Sequence, residues 1–172
     1  MHEGFYSSCI FIFCMKQDNI NPSLAIGVII KNDFDEVLIV QEKNDKYYEK
    51  SSGVWGLPSG KVEWEESIES GLKRELHEEL GVKIEPVGLV GVYQYCRDSS
   101  QCIGLAFVVD LVSAPEQIKI NQNELHDYKW MKINDIMNSS LTFRHGNREV
   151  LLDYQKGKIL PFVNIRFFDL KN

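Results

Sequence analysis

At 172 residues the chain is one domain's worth, since domains usually run about 100 to 150 residues, and its 44% hydrophobic and 26% charged content excludes a disordered chain and a membrane protein. Nineteen Lys+Arg against 25 Asp+Glu give a net charge of -6, and no dense basic run supplies the footprint that duplex nucleic acid requires. A polyphosphate ligand would therefore draw its positive charge from metal cations, not from a bed of lysines.

Residues 1–20 are expected to be an N-terminal extension or an extra strand, and residues 21–172 a single domain. The apolar stretch from Phe5 to Met15 has no positive n-region and no small-residue cleavage site, so it does not fit a secretory signal, and it is too short to span a bilayer. Met15 is an alternative start. Leu24 to Ile30 reads as a buried strand, Asp33-Phe-Asp-Glu as a polar turn, and Val37 to Val40 as the partner strand of a hairpin. Glu42 to Ser52, with Tyr47 and Tyr48, reads as a polar loop, solvated or serving as a substrate-facing flap. Ser67 to Leu80 reads as a helix, with Ser67 as N-cap and Gly81 as its stop. Val87–Tyr95 and Ile103–Val112 should form a second hairpin. Tyr128 to Met131 reads as a short strand, Ile133 to Met137 as a short helix, and Arg148 to Lys156 as a closing helix ended by Gly157. This mixture implies an α/β class with helices on both faces of a mixed sheet. Cys9, Cys14, Cys96 and Cys102 include no C-x-x-C pair. Cys96 and Cys102 could meet across the second hairpin, but reduced thiols in a cytoplasmic protein are the default expectation.

Seven glutamates lie between Glu63 and Glu79. Such a run is usually a solvated helix face. At roughly 100° per residue, however, Glu75, Glu78 and Glu79 share an arc of about 100° that adjoins the apolar stripe of Ile68, Leu72, Leu76 and Leu80. Three like charges at that spacing repel, so a cation among them is favourable, and carboxylate oxygens suit Mg²⁺ or Mn²⁺.

Gly60, five residues, Glu66, seven residues, Arg74-Glu75-Leu76, His77, Glu78-Glu79, Leu80, Gly81 and Val82 reproduce the complete box G-x5-E-x7-R-E-U-x-E-E-x-G-U, where U is a bulky aliphatic. The chain thereby resembles the Nudix hydrolase family, MutT-like. A chance match to seven fixed positions is on the order of one in a hundred million per starting point. Trp55-Gly-Leu-Pro-Ser-Gly is similar to the family's approach to the box, and Gly27 to Trp130 follows its element order. Ser59 and Glu65 stand where many members carry glycine.

The resemblance implies an α/β/α sandwich, the Nudix fold, with a mixed β-sheet between helices. It implies a divalent-metal-dependent pyrophosphohydrolase that cleaves a nucleoside diphosphate linked to another moiety by water attack on phosphorus. By the same resemblance Glu75, Glu78 and Glu79 are the metal-binding carboxylates, with the Gly60 carbonyl as a further ligand and Mg²⁺ or Mn²⁺ as cofactor. Arg74 holds a carboxylate in position, Glu66 ties the loop to the helix, and Glu124 is an additional acid that binds metal or activates water. Leu141 through Arg144 and Tyr154 to Pro161 are similar to the end of phosphatase-like members of the NudJ kind. Tyr47, Tyr48, Trp64, Tyr93, Tyr95 and Phe143 are candidates for stacking on a base, none individually assigned. A small-molecule nucleotide or pyrophosphate is the expected partner, a homodimer is admitted, and no membrane is expected. The alternative is a Nudix-fold module that senses a nucleotide without cleaving it, and the intact box glutamates favour the enzyme.

Overall fold

The computed structural model describes residues 23–43, 53–97 and 100–166. The N-terminal segment, the Tyr47–Tyr48 loop, Cys9 and Cys14 lie outside them. In chain order the elements are β1 (Ser23–Ile30), β2 (Glu36–Glu42), β3 (Trp55–Gly56), β4 (Ser59–Lys61), α1 (Ile68–Leu80), β5 (Ile84–Arg97), β6 (Ser100–Leu111), β7 (Leu125–Lys132), α2 (Ile133–Asn138), α3 (Asn147–Gln155) and β8 (Leu160–Pro161). Two sheets form: a five-stranded one in the order β4-β1-β6-β5-β8 and a three-stranded one in the order β3-β2-β7. The larger sheet is mixed, because β1 runs parallel to β6 and antiparallel to β4.

The side chains of the central strands alternate strictly between two cores. Ile26, Val28 and Ile30 of β1, Leu38 and Val40 of β2, and Phe107 and Val109 of β6 pack with Leu72, Leu76 and Leu80 of α1. Ile29, Val37, Ile39, Ala106 and Val108 pack instead with Ile133 and Ile136 of α2 and Val150 and Leu151 of α3. A period of two on strands buried on both faces produces this split. Helices thus cover both faces, as the α/β/α expectation requires.

The first expected hairpin does not form. Both edges of β1 are taken, since Ile26 stands opposite Gly60 on one side and Leu105 on the other, and β2 pairs with β3 and β7. Between the two arms the structure has an isolated bridge Lys31–Val37 just past the end of β1 and a bond from the Asn32 N–H to the Glu36 carbonyl at 3.0 Å. The turn itself is local and well determined. The Asn32 side-chain oxygen accepts from the Phe34 and Glu36 N–H groups at 3.0 Å each. A strand that is apolar on both faces needs a neighbour on each edge, and here a crossover supplies what adjacency does not.

Helix α1 is bounded as its sequence directs. The Ser67 hydroxyl accepts the Ser70 N–H at 3.1 Å, and Gly81 closes the helix at φ 67°, a conformation that suits glycine. Leu72, Leu76 and Leu80 are fully buried, each stabilising the fold by roughly 1.5–3 kcal/mol. The β5–β6 hairpin is present and longer than expected, and its register sets Cys96 opposite Gln101 and Tyr95 opposite Cys102. The two cysteines are one register step apart, point to opposite faces, and are free thiols. Among the described residues no helix is long and apolar enough to cross a membrane.

Candidate active site

The loop from Ser59 to Glu66 folds back on α1, and Arg74 holds it there. Its Nε and Nη2 donate to the two oxygens of Glu66 at 2.9 and 2.8 Å, a bidentate pair in a partly buried setting. Nη2 also donates to the Lys61 carbonyl at 2.9 Å, and Nη1 donates to Glu75 at 2.9 Å and to Glu78 at 3.2 Å. A guanidinium has five N–H donors, and all five are engaged. These bonds raise the guanidinium pKa further and hold the Glu66 carboxyl below its ordinary range. Glu66 also accepts the Glu63 N–H at 3.0 Å, so it fastens the loop to the helix.

Two backbone amides of the same loop reach the box acids. Lys61 N–H donates to Glu75 at 3.0 Å and Ser59 N–H to Glu79 at 3.2 Å. Between them Gly60 leaves no room for a side chain: a Cβ there would lie 2.0 Å from the Glu75 carboxyl carbon. Glu79 is buried, with 6% of its surface exposed. Burial pushes its carboxyl up to about 8, assisted by the charges of Glu75 and Glu124 and opposed by the Ser59 N–H.

The box acids share a helix face but do not converge on one point. Among the described residues no group of three His, Cys, Asp or Glu is placed to enclose a metal ion, because Glu75 and Glu78 turn to Arg74 while Glu79 turns to Ser59. The donor chemistry nevertheless suits a hard divalent cation. Glu79 is a buried carboxyl whose ionised form its acidic neighbours disfavour and a cation would favour, and the Gly60 cradle brings main chain directly against Glu75.

Glu124 joins this group from a distant part of the chain. Glu42, Glu79, Asn123, Glu124 and Leu125 line a cleft of about 240 Å³, and the Glu124 carboxylate accepts from the Asn121 amide at 3.1 Å. Two further residues join the site, neither of them part of the box. Glu42, at the end of β2, pairs with Arg144, whose Nη1 donates to the Ser59 hydroxyl at 2.6 Å. Burial pushes the Arg144 guanidinium down to about 10, which leaves it charged at neutral pH. Arg144 lies in the stretch similar to the NudJ kind, and that similarity was the sole available signal. Glu42 had none, as one acid at the end of a strand resembles any other.

Glu65 occupies a left-handed conformation at φ 66°, the geometry for which glycine is the usual residue. Its carboxylate accepts the indole N–H of Trp64 at 3.0 Å. Trp64 itself is 92% exposed, at the outer edge of the site loop. Tyr93 and Tyr95 lie away from that loop: Tyr93 donates to Asp153 of α3 at 3.1 Å, and Tyr95 packs against Gly146.

Comparison with known proteins places the chain in a family. The chain is 30% identical over 134 residues to Nudix hydrolase 5 of Arabidopsis thaliana, covering 75% of this chain and 42% of that protein. It is 27% identical over 141 residues to an ADP-ribose pyrophosphatase of Methanocaldococcus jannaschii, covering 81% of this chain and 76% of that protein. The match spans less than half the length of the Arabidopsis relatives. In three dimensions it is similar to a NUDIX hydrolase from Nitrosomonas europaea, with a TM-score of 0.73 and 23% identity over 88% of this chain and 100% of that one. The model of the NUDIX domain matches residues 21–154. A match over that much of the sequence, on a fold of the same architecture, makes the chain a member of the Nudix family.

Proposed function

We propose that the chain is a divalent-metal-dependent pyrophosphohydrolase that cleaves a nucleoside diphosphate linked to another moiety by water attack on phosphorus. The observation that carries this reading is the buried Glu79 carboxyl set beside Glu75 and Glu124 at a cleft, in a chain of net charge -6. Ionising Glu79 in that setting is unfavourable until positive charge enters it. Arg74 cannot supply that charge to a substrate, since its five donors are engaged within the loop and helix.

Glu75, Glu78 and Glu79, with the Gly60 carbonyl, would hold Mg²⁺ or Mn²⁺. When bound, the cation neutralises phosphate oxygens and lowers the pKa of water. The protein's own groups do the rest. Arg74 keeps Glu75 and Glu78 in place on α1. Glu124, exposed at the mouth of the cleft and held by Asn121, accepts the proton of the attacking water. The pyrophosphatase named among the relatives supports a nucleotide diphosphate as the substrate class. The reaction is assigned to the cytoplasm, where Cys96 and Cys102 stay reduced.

Turnover of a panel of nucleoside diphosphate derivatives and nucleoside triphosphates with Mg²⁺ or Mn²⁺, followed by product identification, tests the reading. Two phosphate-ended products and loss of activity in EDTA are expected. Saturable nucleotide binding without turnover across the panel would make the chain a sensor.

A further inference from the structure

Three segments that are remote in sequence meet behind the acidic cleft through one side chain. The Arg144 N–H donates to the Trp55 carbonyl at 2.8 Å, which seats the segment preceding α3 on β3. Its side chain then crosses the strand at Gly56, where an added Cβ would lie 3.6 Å from the Arg144 Cβ and 2.9 Å from the Asn147 amide oxygen. Beyond that crossing Nη1 donates to the Ser59 hydroxyl at 2.6 Å, and Nη2 pairs with Glu42. Ser59 passes the constraint onward, because its own N–H donates to Glu79 at 3.2 Å. Glu42 and Glu79 both line the cleft.

We propose that Arg144 is a positioning residue of this site, a strut that fixes the Ser59 amide against Glu79 and holds Glu42 at the cleft wall as a neutralised pair. The proposal rests on the pyrophosphohydrolase reading for its kinetic consequence only; the strut itself rests on the contacts. Exposed ion pairs contribute little to stability or order, but Arg144 and Glu42 expose only 25% and 21% of their side chains. Without the guanidinium, Glu42 becomes an unpaired carboxylate beside Glu79 and Glu124, and the Ser59 hydroxyl loses its donor. A glycine at position 59 would offer no hydroxyl at all, so serine there gives the loop an anchor that its backbone alone lacks.

A double-mutant cycle tests the strut: Arg144→Gln, Ser59→Ala and the two combined, with Arg144→Lys as the conservative variant. Three quantities are read on each: Mn²⁺ affinity without substrate, amide hydrogen exchange over residues 57–61, and kcat with KM. Loss of a residue that orients a ligand typically lowers metal affinity or activity about 10 to 100-fold. Each single variant should therefore weaken Mn²⁺ binding and lower kcat by roughly that factor, leave KM within about threefold, and speed exchange in the loop. The double variant should be no worse than the weaker single one, because both remove the same link. Arg144→Lys should fall between, retaining charge opposite Glu42 without reaching both partners. Additive losses, unchanged loop exchange, or a lowered melting temperature with wild-type kcat and Mn²⁺ affinity would overturn the proposal. Should the wild-type protein turn over no member of the panel, the functional reading fails alone, and loop exchange together with Mn²⁺ affinity still decides the strut. Ser59→Ala removes one hydroxyl from a loop residue, so it keeps the cycle readable if an Arg144 variant folds poorly.

Discussion

A carboxyl that titrates near 8 when folded, against 4.5 as its ordinary value, binds more protons in the folded than in the unfolded state between those two pH values. Stability must then fall as pH rises through that window. For Glu79 the loss is on the order of a few kcal/mol, and urea unfolding in EDTA at pH 5, 6.5 and 8 should record it. Glu79→Gln should flatten the slope and make the metal-free protein more stable at pH 8, while lowering turnover and Mn²⁺ affinity at least about 10-fold. Parallel pH profiles for the two proteins would contradict this. Arg74→Lys preserves one charge but offers three donors to the five acceptor sites now served. A loss of kcat of about 10-fold or more is expected from steady-state kinetics. At the loop apex Glu65 holds a left-handed backbone, so Glu65→Gly should be more stable than Glu65→Ala by roughly 1 kcal/mol, both variants lacking the whole Glu65 carboxylate. Thermal melting of the two variants checks this.

Helix α1 does two jobs with two stripes. One stripe, Leu72, Leu76 and Leu80, anchors it in the core; the other carries Arg74, Glu75, Glu78 and Glu79. Its ends are local devices, so Ser67→Ala should lower stability by about 1 kcal/mol and leave kcat within about twofold, because the first turn lies away from Glu75 and Glu79. Denaturant unfolding and steady-state rates on the same preparation check both halves. The extent of α1 and the pairing of the β5–β6 hairpin, though not the hairpin's full length, were legible because each is specified by residues close in sequence: a cap, a glycine stop, an alternating run. The pairing of β1 was not. Its apolar run identifies a buried strand, yet which strands flank it is decided by the parallel crossover to β6 and by β4, both far along the chain.

For the whole molecule, a net charge of -6, with Glu124 at the cleft beside the acidic face of α1, opposes the approach of any polyphosphate. Turnover should therefore vanish in EDTA and return with excess Mg²⁺ or Mn²⁺, and it should rise on the alkaline side of neutral as bound water loses its proton more readily. Full activity in EDTA, or a maximum near pH 5, would contradict the metal-dependent reading. Metal titration at several pH values on the wild type and on Glu79→Gln separates the deprotonation of Glu79 from that of water.

The box from Gly60 to Val82 is a contiguous stretch in which every chemical group is placed by helix geometry and one short loop. The sequence by itself therefore determined the family, the α/β class, the capped helix and the acidic face. What only the tertiary structure decided was the company those acids keep. Arg144 and Ser59 are 85 residues apart, and Glu42 and Glu124 sit on strands or loops whose neighbours depend on sheet order. No local pattern encodes a contact between residues that far apart. Glu79 acquires its raised pKa from burial and from Glu124, neither of which exists until the sheets have closed over the helix, for the field around a charge is a property of the folded interior and not of the chain.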